Sequence, residues 1–176
     1  MSKVYMVRHG QSEANINKIW GGDYPLTELG KEQAATVSGN IPEKPDAVYA
    51  SCKKRAIQTA QTAYPEYNIT SYPEFDEIFT GSLEETTYNK ETAIEVRSNP
   101  KLIREVYGGD DLNIRAEAAL AKIKKLAEGH RVIVIVSSDY LICSVLSLME
   151  YGTADRIIEY KMKNCDNVCL EIYEKG

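Results

Sequence analysis

Histidine is scarce in this sequence, since His9 and His130 are the only two among 176 residues. Cysteine is also sparse, and the cysteines lack the paired C-x-x-C spacing of zinc sites. The four are Cys52, Cys143, Cys165 and Cys169. So few thiols in a chain of this length predict neither a disulfide framework nor a zinc centre, and we expect the cysteines to be reduced.

Excess positive charge and long apolar runs are lacking as well. Lysine and arginine total 21 against 26 acidic residues, which gives a net charge of −5. Without a basic stripe, neither nucleic acid nor an anionic membrane surface is an expected partner. No apolar run reaches membrane-spanning length and no signal-peptide pattern is present, so we expect a cytoplasmic protein. The length predicts one domain over residues 1–176 and leaves the oligomeric state open.

What the sequence does contain is an alternation of short apolar runs with helical periodicity. The predicted strands cover residues 3–7, 46–50, 131–137 and 167–173. The predicted helices cover residues 27–38, 53–64, 112–127 and 139–150. The last strand alternates apolar with more polar residues, which is typical of an edge strand. Strand–helix alternation of this kind predicts an α/β fold with a mostly parallel sheet.

The segment 79–111 does not follow this alternation. It mixes a helical piece, "KETAIEVR", with the turn signals "SNP" and "YGGDD". It is long for a plain connection, so we expect either a lid or side wall over a site or an ordinary helical excursion.

Polar residues follow several of the predicted strands, at the carboxyl edge where open α/β sheets bind ligands. They are Arg8, His9, Gly10, Arg55, Glu77, Ser137, Ser138 and Asp139. Arginine forks match phosphate oxygens, a neutral imidazole is a competent nucleophile, and a carboxylic acid can protonate a leaving oxygen. The set favours phosphoryl transfer, although an Arg-His pair also occurs as a simple polar end to a strand.

Six segments, in order, resemble the motifs of the histidine phosphatase superfamily, the phosphoglycerate mutase-like proteins. They are "VRHGQSEAN", "GGDYPLTELGKEQA", "ASCKKRAIQTA", "DEIFTGSLEE", "YGGDDLNIRAEAAL" and "VIVIVSSDYLICSVL". The resemblance covers nearly the whole chain. It implies a three-layer α/β/α sandwich, a small phosphorylated molecule as partner, and no metal or other cofactor. The short chain resembles the phosphatase branch more than the mutases, which carry inserted segments.

The resemblance also implies a role for each matched residue. His9 would form a phosphohistidine, Arg8 and Arg55 would hold the phosphate, and Glu77 would act as acid and then as base. Further substrate contacts would come from Asn15, Ser12, Gly10 and Ser138. Glu74 and Asp76 are rivals to Glu77 in the stretch "EFDE". The twelve tyrosines resemble core and rim residues and are assigned no role.

One position departs from the family pattern. The family's second histidine lies in a Val-Ser-His-Gly pattern, whereas this chain has Ser138 and Asp139 in place of its last two residues. His130 precedes the strand and is expected at the opposite edge. Asp139 either faces the pocket, where it would repel phosphate, or caps the following helix together with Ser138. We therefore expect a phosphatase with reduced activity, the alternatives being a phospho-ligand-binding pseudophosphatase or a mutase-type phosphotransferase.

Overall fold

The computed structural model describes residues 1–173 of the chain. Its central element is a β-sheet. In this part of the chain five strands form one sheet. The strands are β1 (Ser2–Arg8), β2 (Ala47–Ala50), β3 (Thr70–Ser71), β4 (Val132–Ser137) and β5 (Asn167–Ile172). Their order is β3-β2-β4-β1-β5. All pairings are parallel except that of β5 with β1. The four predicted strands and the edge position of β5 are confirmed, and β3 was not predicted.

Helices of very different length connect the strands. They are α1 (Glu13–Ile16), α2 (Glu28–Ala35), α3 (Val37–Asn40), α4 (Lys54–Ala63), α5 (Lys90–Ser98), α6 (Lys101–Glu105), α7 (Leu112–Ala127) and α8 (Asp139–Tyr151). Short 3-10 turns cover Pro73–Phe75, Gly81–Leu83 and Ala154–Glu159. The hydroxyl of Thr27 accepts the Gly30 N–H at 3.0 Å, so this residue caps α2 as predicted. The predicted helix over 27–38 is divided at Thr36 into α2 and α3.

Two apolar clusters lie on opposite faces of the sheet, which gives the three-layer α/β/α sandwich. On one face, Met6 and Ile135 pack with residues of α7 and α8 such as Ile123. On the other face, Val7 and Val134 pack with residues of α3 and α4. Neighbouring residues of one strand point to opposite faces, so these strands need apolar residues at every position.

The strand register places the candidate residues at one edge. Arg8 at the end of β1 pairs with Ser137 at the end of β4, whereas Lys3 pairs with Val132 at the other edge. His130 therefore lies at the opposite edge from His9, as predicted. No helix within residues 1–173 is long and apolar enough to cross a membrane.

Candidate active site

The loop after β1 places His9 at the floor of a cavity. The His9 N–H donates to the Ser137 carbonyl at 3.0 Å, which extends the parallel pairing by one residue. The next N–H, of Gly10, donates to the Thr59 hydroxyl of α4 at 3.0 Å. A β-carbon at Gly10 would clash with the backbone carbonyl of Gly30, so only glycine allows this loop to pack against α2. Gly10 thus supports the floor and does not border the cavity.

The hydrogen bonds of the His9 ring define its tautomer. Arg55 Nε lies 3.2 Å from His9 Nε2, and a guanidinium only donates, so Nε2 accepts. Nδ1, 2.7 Å from the Gly10 carbonyl, then carries the proton. Burial, together with the charges of Arg55 and Arg8, holds the pKa of His9 well below its usual 6.5. The site therefore contains a neutral imidazole whose unprotonated nitrogen faces a buried cation.

Arg55 comes from the first turn of α4 and is 4% exposed. Besides its contact with His9, it donates through Nη1 to the Gly22 carbonyl at 2.7 Å. Gly22 has a φ of +68°, a backbone conformation that glycine adopts readily. The turn "GGDYP" thus orients the guanidinium toward His9.

Arg8 lies beside His9 and borders the same cavity. Its Nη1 donates to the Met162 carbonyl. Its Nε is buried and has no hydrogen-bond partner among residues 1–173. A buried donor without a partner is costly, and an anion bound at the floor would satisfy it.

Ser12 and Asn15 lie at the start of α1 and also border the cavity. The Asn15 side-chain oxygen accepts the Ser12 N–H at 3.0 Å. The Ser12 hydroxyl is buried and, within the described residues, has no partner. Asn164 was not predicted: its Nδ2 donates to the His9 carbonyl at 3.0 Å and lies 3.4 Å from Asn15 Oδ1. The antiparallel pairing of β5 with β1 brings its loop here, and no local sequence signal marks that position.

Of the three neighbouring acidic residues, Glu77 is the one that borders the cavity. Glu74 instead pairs with Lys122 at 2.9 Å, and Asp76 accepts the Cys52 N–H at 2.6 Å. Burial raises the pKa of Glu77, against the opposing effects of the Ile78 N–H and Arg55.

The two carboxyl oxygens of Glu77 differ in their contacts. Oε1 accepts the N–H groups of Ile78 at 2.9 Å and Leu141 at 3.2 Å. Oε2 has only the Tyr140 N–H, at 3.4 Å. The less occupied oxygen, Oε2, is therefore the one best able to carry a proton. Glu77 also satisfies two N–H groups in the first turn of α8.

Ser138 and Asp139 open α8 without a side-chain cap, so the prediction that they cap this helix is wrong. Ser138 is fully buried, does not border the cavity, and its hydroxyl has no partner within residues 1–173. Asp139 does border the cavity and forms an ion pair with Arg97 at 2.8 Å. Its Oδ1 also accepts the Met162 N–H at 3.1 Å. The acid faces the pocket, but Arg97 neutralises its charge.

The cavity above these residues has a volume of about 1150 Å³. Its floor carries Arg8, His9, Arg55 and Glu77. Much of one side comes from 79–111, including the first turns of α5, so this segment forms a side wall. Within residues 1–173, no group of three or more His, Cys, Asp and Glu side chains is arranged to hold a metal ion.

A comparison with protein-family models agrees with this arrangement. The family model described as "Histidine phosphatase superfamily (branch 1)" matches residues 4–176. The chain belongs to the histidine phosphatase superfamily. The buried His9, with Arg8 and Arg55 beside it, thus lies in a chain whose family is named for histidine.

Relatives of this superfamily member include mutases and phosphatases. The chain is 30% identical over 179 residues to the probable phosphoglycerate mutase GpmB of Photorhabdus laumondii, covering 94% of this chain and 82% of that protein. It is 28% identical over 176 residues to the metal-independent phosphoserine phosphatase of Arabidopsis thaliana, covering 90% and 73%. A 39% identical match to the 6-phosphofructo-2-kinase/fructose-2,6-bisphosphatase of Caenorhabditis elegans spans 48% of this chain but only 19% of that protein.

A solved structure supports the fold independently. The mycobacterial glucosyl-3-phosphoglycerate phosphatase, in complex with VO3, superposes with a TM-score of 0.86 at 20% identity. The superposition covers 97% of this chain and 91% of that one. The phosphoglycerate mutase-like fold is thereby confirmed.

Proposed function

We propose that this chain is a metal-independent phosphatase of the small phosphatase branch, which hydrolyses a small phosphomonoester through a phosphohistidine on His9. The observation that carries the proposal is the His9–Arg55 contact of 3.2 Å at the floor of an open cavity, with a neutral imidazole. A neutral imidazole is nucleophilic, and a buried guanidinium stabilises the charge of the transferring phosphoryl group. Phosphoryl transfer needs chiefly positioning and charge stabilisation, which the arginines supply.

In the first step, His9 Nε2 attacks phosphorus and the bond to the alcohol oxygen breaks. Arg55 donates to this nitrogen in the free protein, so its N–H must turn to a phosphoryl oxygen as substrate binds. Arg8 Nε and the Ser12 hydroxyl, both buried without partners in the described residues, offer two further donors. The proton of Glu77 passes to the leaving oxygen, so the alcohol departs neutral.

In the second step, water attacks the phosphohistidine. The Glu77 carboxylate takes the water proton, the phosphorus–nitrogen bond breaks, and inorganic phosphate leaves. The His9 lone pair and the Glu77 proton are restored, so the cycle closes without a further reactant.

The position of Ser138 supports reduced turnover. We take Ser138 to occupy the place of the family's second histidine, where an imidazolium would donate a charge-assisted hydrogen bond. A hydroxyl supplies no charge, and losing one such donor typically lowers turnover by about 10²–10³. The same observation favours the second candidate, a phospho-ligand-binding pseudophosphatase.

The test compares hydrolysis of an aryl phosphate by the wild type, His9→Ala and Ser138→His, with EDTA present throughout. Because His130 lies at the opposite edge of the sheet, His130→Ala is the matched control. We expect turnover that His9→Ala abolishes and His130→Ala preserves, and an acid-labile phosphoprotein after rapid quenching. Turnover unaffected by His9→Ala would refute the phosphohistidine mechanism.

Two other results select the alternatives. Activity that appears only in Ser138→His identifies a silenced binding module. Transfer of the phosphoryl group to an added phosphorylated alcohol, without release of inorganic phosphate, identifies a mutase-type enzyme.

A further inference from the structure

Four tryptophan and tyrosine side chains border the cavity, and three of them form what we call the aromatic wall: Trp20, Tyr88 and Tyr140. The fourth is Tyr160. The ring of Trp20 lies 5.0 Å from that of Tyr88 and 6.4 Å from that of Tyr140, centroid to centroid. These separations are those of interacting aromatic pairs. Trp20 is 4% exposed and packs behind the more exposed Tyr88, so the wall is an aromatic cluster assembled from three distant parts of the chain.

Backbone pairing holds two of the three residues in place. The segment before Trp20 pairs with the segment before Tyr88 through an antiparallel bridge of Ile19 with Thr87. The Trp20 N–H donates to the Thr86 carbonyl at 3.0 Å, and the Tyr88 N–H donates to the Lys18 carbonyl. A surface fixed by such hydrogen bonds loses little conformational entropy when a ligand packs on it.

The third residue, Tyr140, is held by a cation–π contact. It connects the aromatic wall to the proposed proton donor, Glu77. The Arg97 guanidinium lies 5.2 Å from the centre of the Tyr140 ring and is itself held by Asp139. The Tyr140 N–H lies 3.4 Å from Glu77 Oε2, the oxygen assigned above as proton donor to the leaving alcohol. In the proposed reaction the leaving alcohol therefore starts near the first turn of α8, which carries the third ring of the wall.

Exposed apolar side chains also border the cavity. Ile94 and Ile158 border it and are 54% and 48% exposed, and Tyr88 is 42% exposed. Exposed apolar side chains grouped around one opening indicate a binding surface, whereas scattered ones do not. The volume of about 1150 Å³ exceeds what a three-carbon polar alcohol would fill.

Charged side chains border the cavity as well as apolar ones. Lys18, Lys90 and Lys161 border the cavity but are exposed, and Glu91 lies among them. Exposed lysines at a cavity attract a phosphorylated molecule toward it. Alternatively, these lysines would bind a second anionic group on the substrate.

We propose that the substrate is a phosphomonoester of a ring-bearing, largely apolar alcohol, whose ring stacks on the aromatic wall while its phosphate lies on the floor. This inference rests on the proposed function for the position of the phosphate. It adds the chemical class of the leaving group, which the floor residues do not define.

The test measures binding without turnover. Trp20 is the only tryptophan in the sequence, so its fluorescence reports directly from the wall. Phenylphosphonate, methylphosphonate and phosphonoacetate, whose phosphorus–carbon bonds resist hydrolysis, are titrated into the protein. We expect phenylphosphonate to bind about tenfold more tightly than the other two.

Variants locate the preference on the wall. Tyr88→Ala is expected to reduce the advantage of phenylphosphonate about fivefold, whereas Tyr88→Phe keeps it because the ring remains. Tyr173→Ala is the matched control, since Tyr173 is 68% exposed and follows β5 outside the cavity lining. The control is expected to leave all three affinities unchanged.

The outcomes separate this inference from the proposed function. Equal binding of the phosphonates, or tightest binding of phosphonoacetate, overturns the ring-bearing substrate while leaving hydrolysis intact. Equal effects of Tyr88→Ala and Tyr173→Ala also overturn it. Selectivity for phenylphosphonate in a protein that hydrolyses no aryl phosphate supports the inference and contradicts the phosphatase.

Discussion

Two helices contribute charged residues to the cavity around His9, and they differ in whether those charges are paired. From α4, Arg55 reaches the imidazole and forms no ion pair within 4.0 Å in residues 1–173. From α8, Asp139 faces the same cavity but is neutralised by Arg97. A buried cation left without a partner attracts an anionic ligand, whereas a neutral pair mainly adds structure.

The comparison indicates how an acidic residue at the start of α8 is compatible with the proposed phosphate site. A free carboxylate at the start of α8 would oppose a phosphate dianion. Arg97, from the side wall, removes that repulsion without placing a free charge beside His9. In the proposed reaction the α4 side carries the phosphate. Glu77 lies between the two helices, influenced by both Arg55 and Asp139.

Removing the cation on the α4 side tests the comparison most strongly. Arg55→Ala is expected to lower kcat/KM for an aryl phosphate by about 10³, because it removes charge and orientation at the transferring group. Arg97→Ala, its counterpart on the α8 side, is expected to lower kcat/KM by about tenfold, because it leaves the Asp139 carboxylate facing the cavity without its partner. Steady-state kinetics measure both, with circular dichroism as the check on folding. A larger loss in Arg97→Ala would reverse the comparison.

Substitution of Glu77, which lies between the two helices, is expected to have the next largest effect on kcat/KM. Glu77→Gln removes the proton donor and should lower kcat/KM by about 10² for an alkyl phosphate, and by less for a nitrophenyl phosphate, which leaves without a proton. Since burial raises the pKa of Glu77, wild-type activity should fall as pH rises above that pKa. It should also fall at low pH, as His9 protonates below its usual 6.5. The alkaline decline should be absent in Glu77→Gln, and a persisting decline would assign it to another group.

The α4 side of the floor could be predicted from the sequence because its residues follow local rules. Arg8 ends a buried strand, His9 and Gly10 follow it directly, and Arg55 lies in the first turn of a helix that starts near a strand end. Parallel strands gather such ends at one edge, so the order of elements was enough to bring them together. Glu77 was harder, because only the tertiary contacts of Glu74 and Asp76 remove them from the site.

The α8 side and the aromatic wall could not be predicted because they depend on pairings between distant segments. Arg97 meets Asp139 across 42 residues, and Asn164 reaches His9 across 155. Tyr88 and Tyr140 gave no signal, since tyrosines at such positions are typical of core and rim. Even β3, two residues long, exists only because β2 offers a free edge.

The smallest expected effect tests whether the neutral pair on α8 still influences the chemistry. The charge of Asp139 raises the pKa of Glu77, and Asp139→Asn also leaves Arg97 unopposed, so both changes lower that pKa. The alkaline decline of kcat/KM should therefore move to lower pH, with a loss of only a few-fold at the optimum. Glu117→Gln, an exposed carboxylate on α7, is the control and should leave the profile in place. The decisive result is the direction of the shift: no movement, or movement to higher pH, would mean that the charges of Asp139 and Arg97 do not act on Glu77 as inferred from their positions.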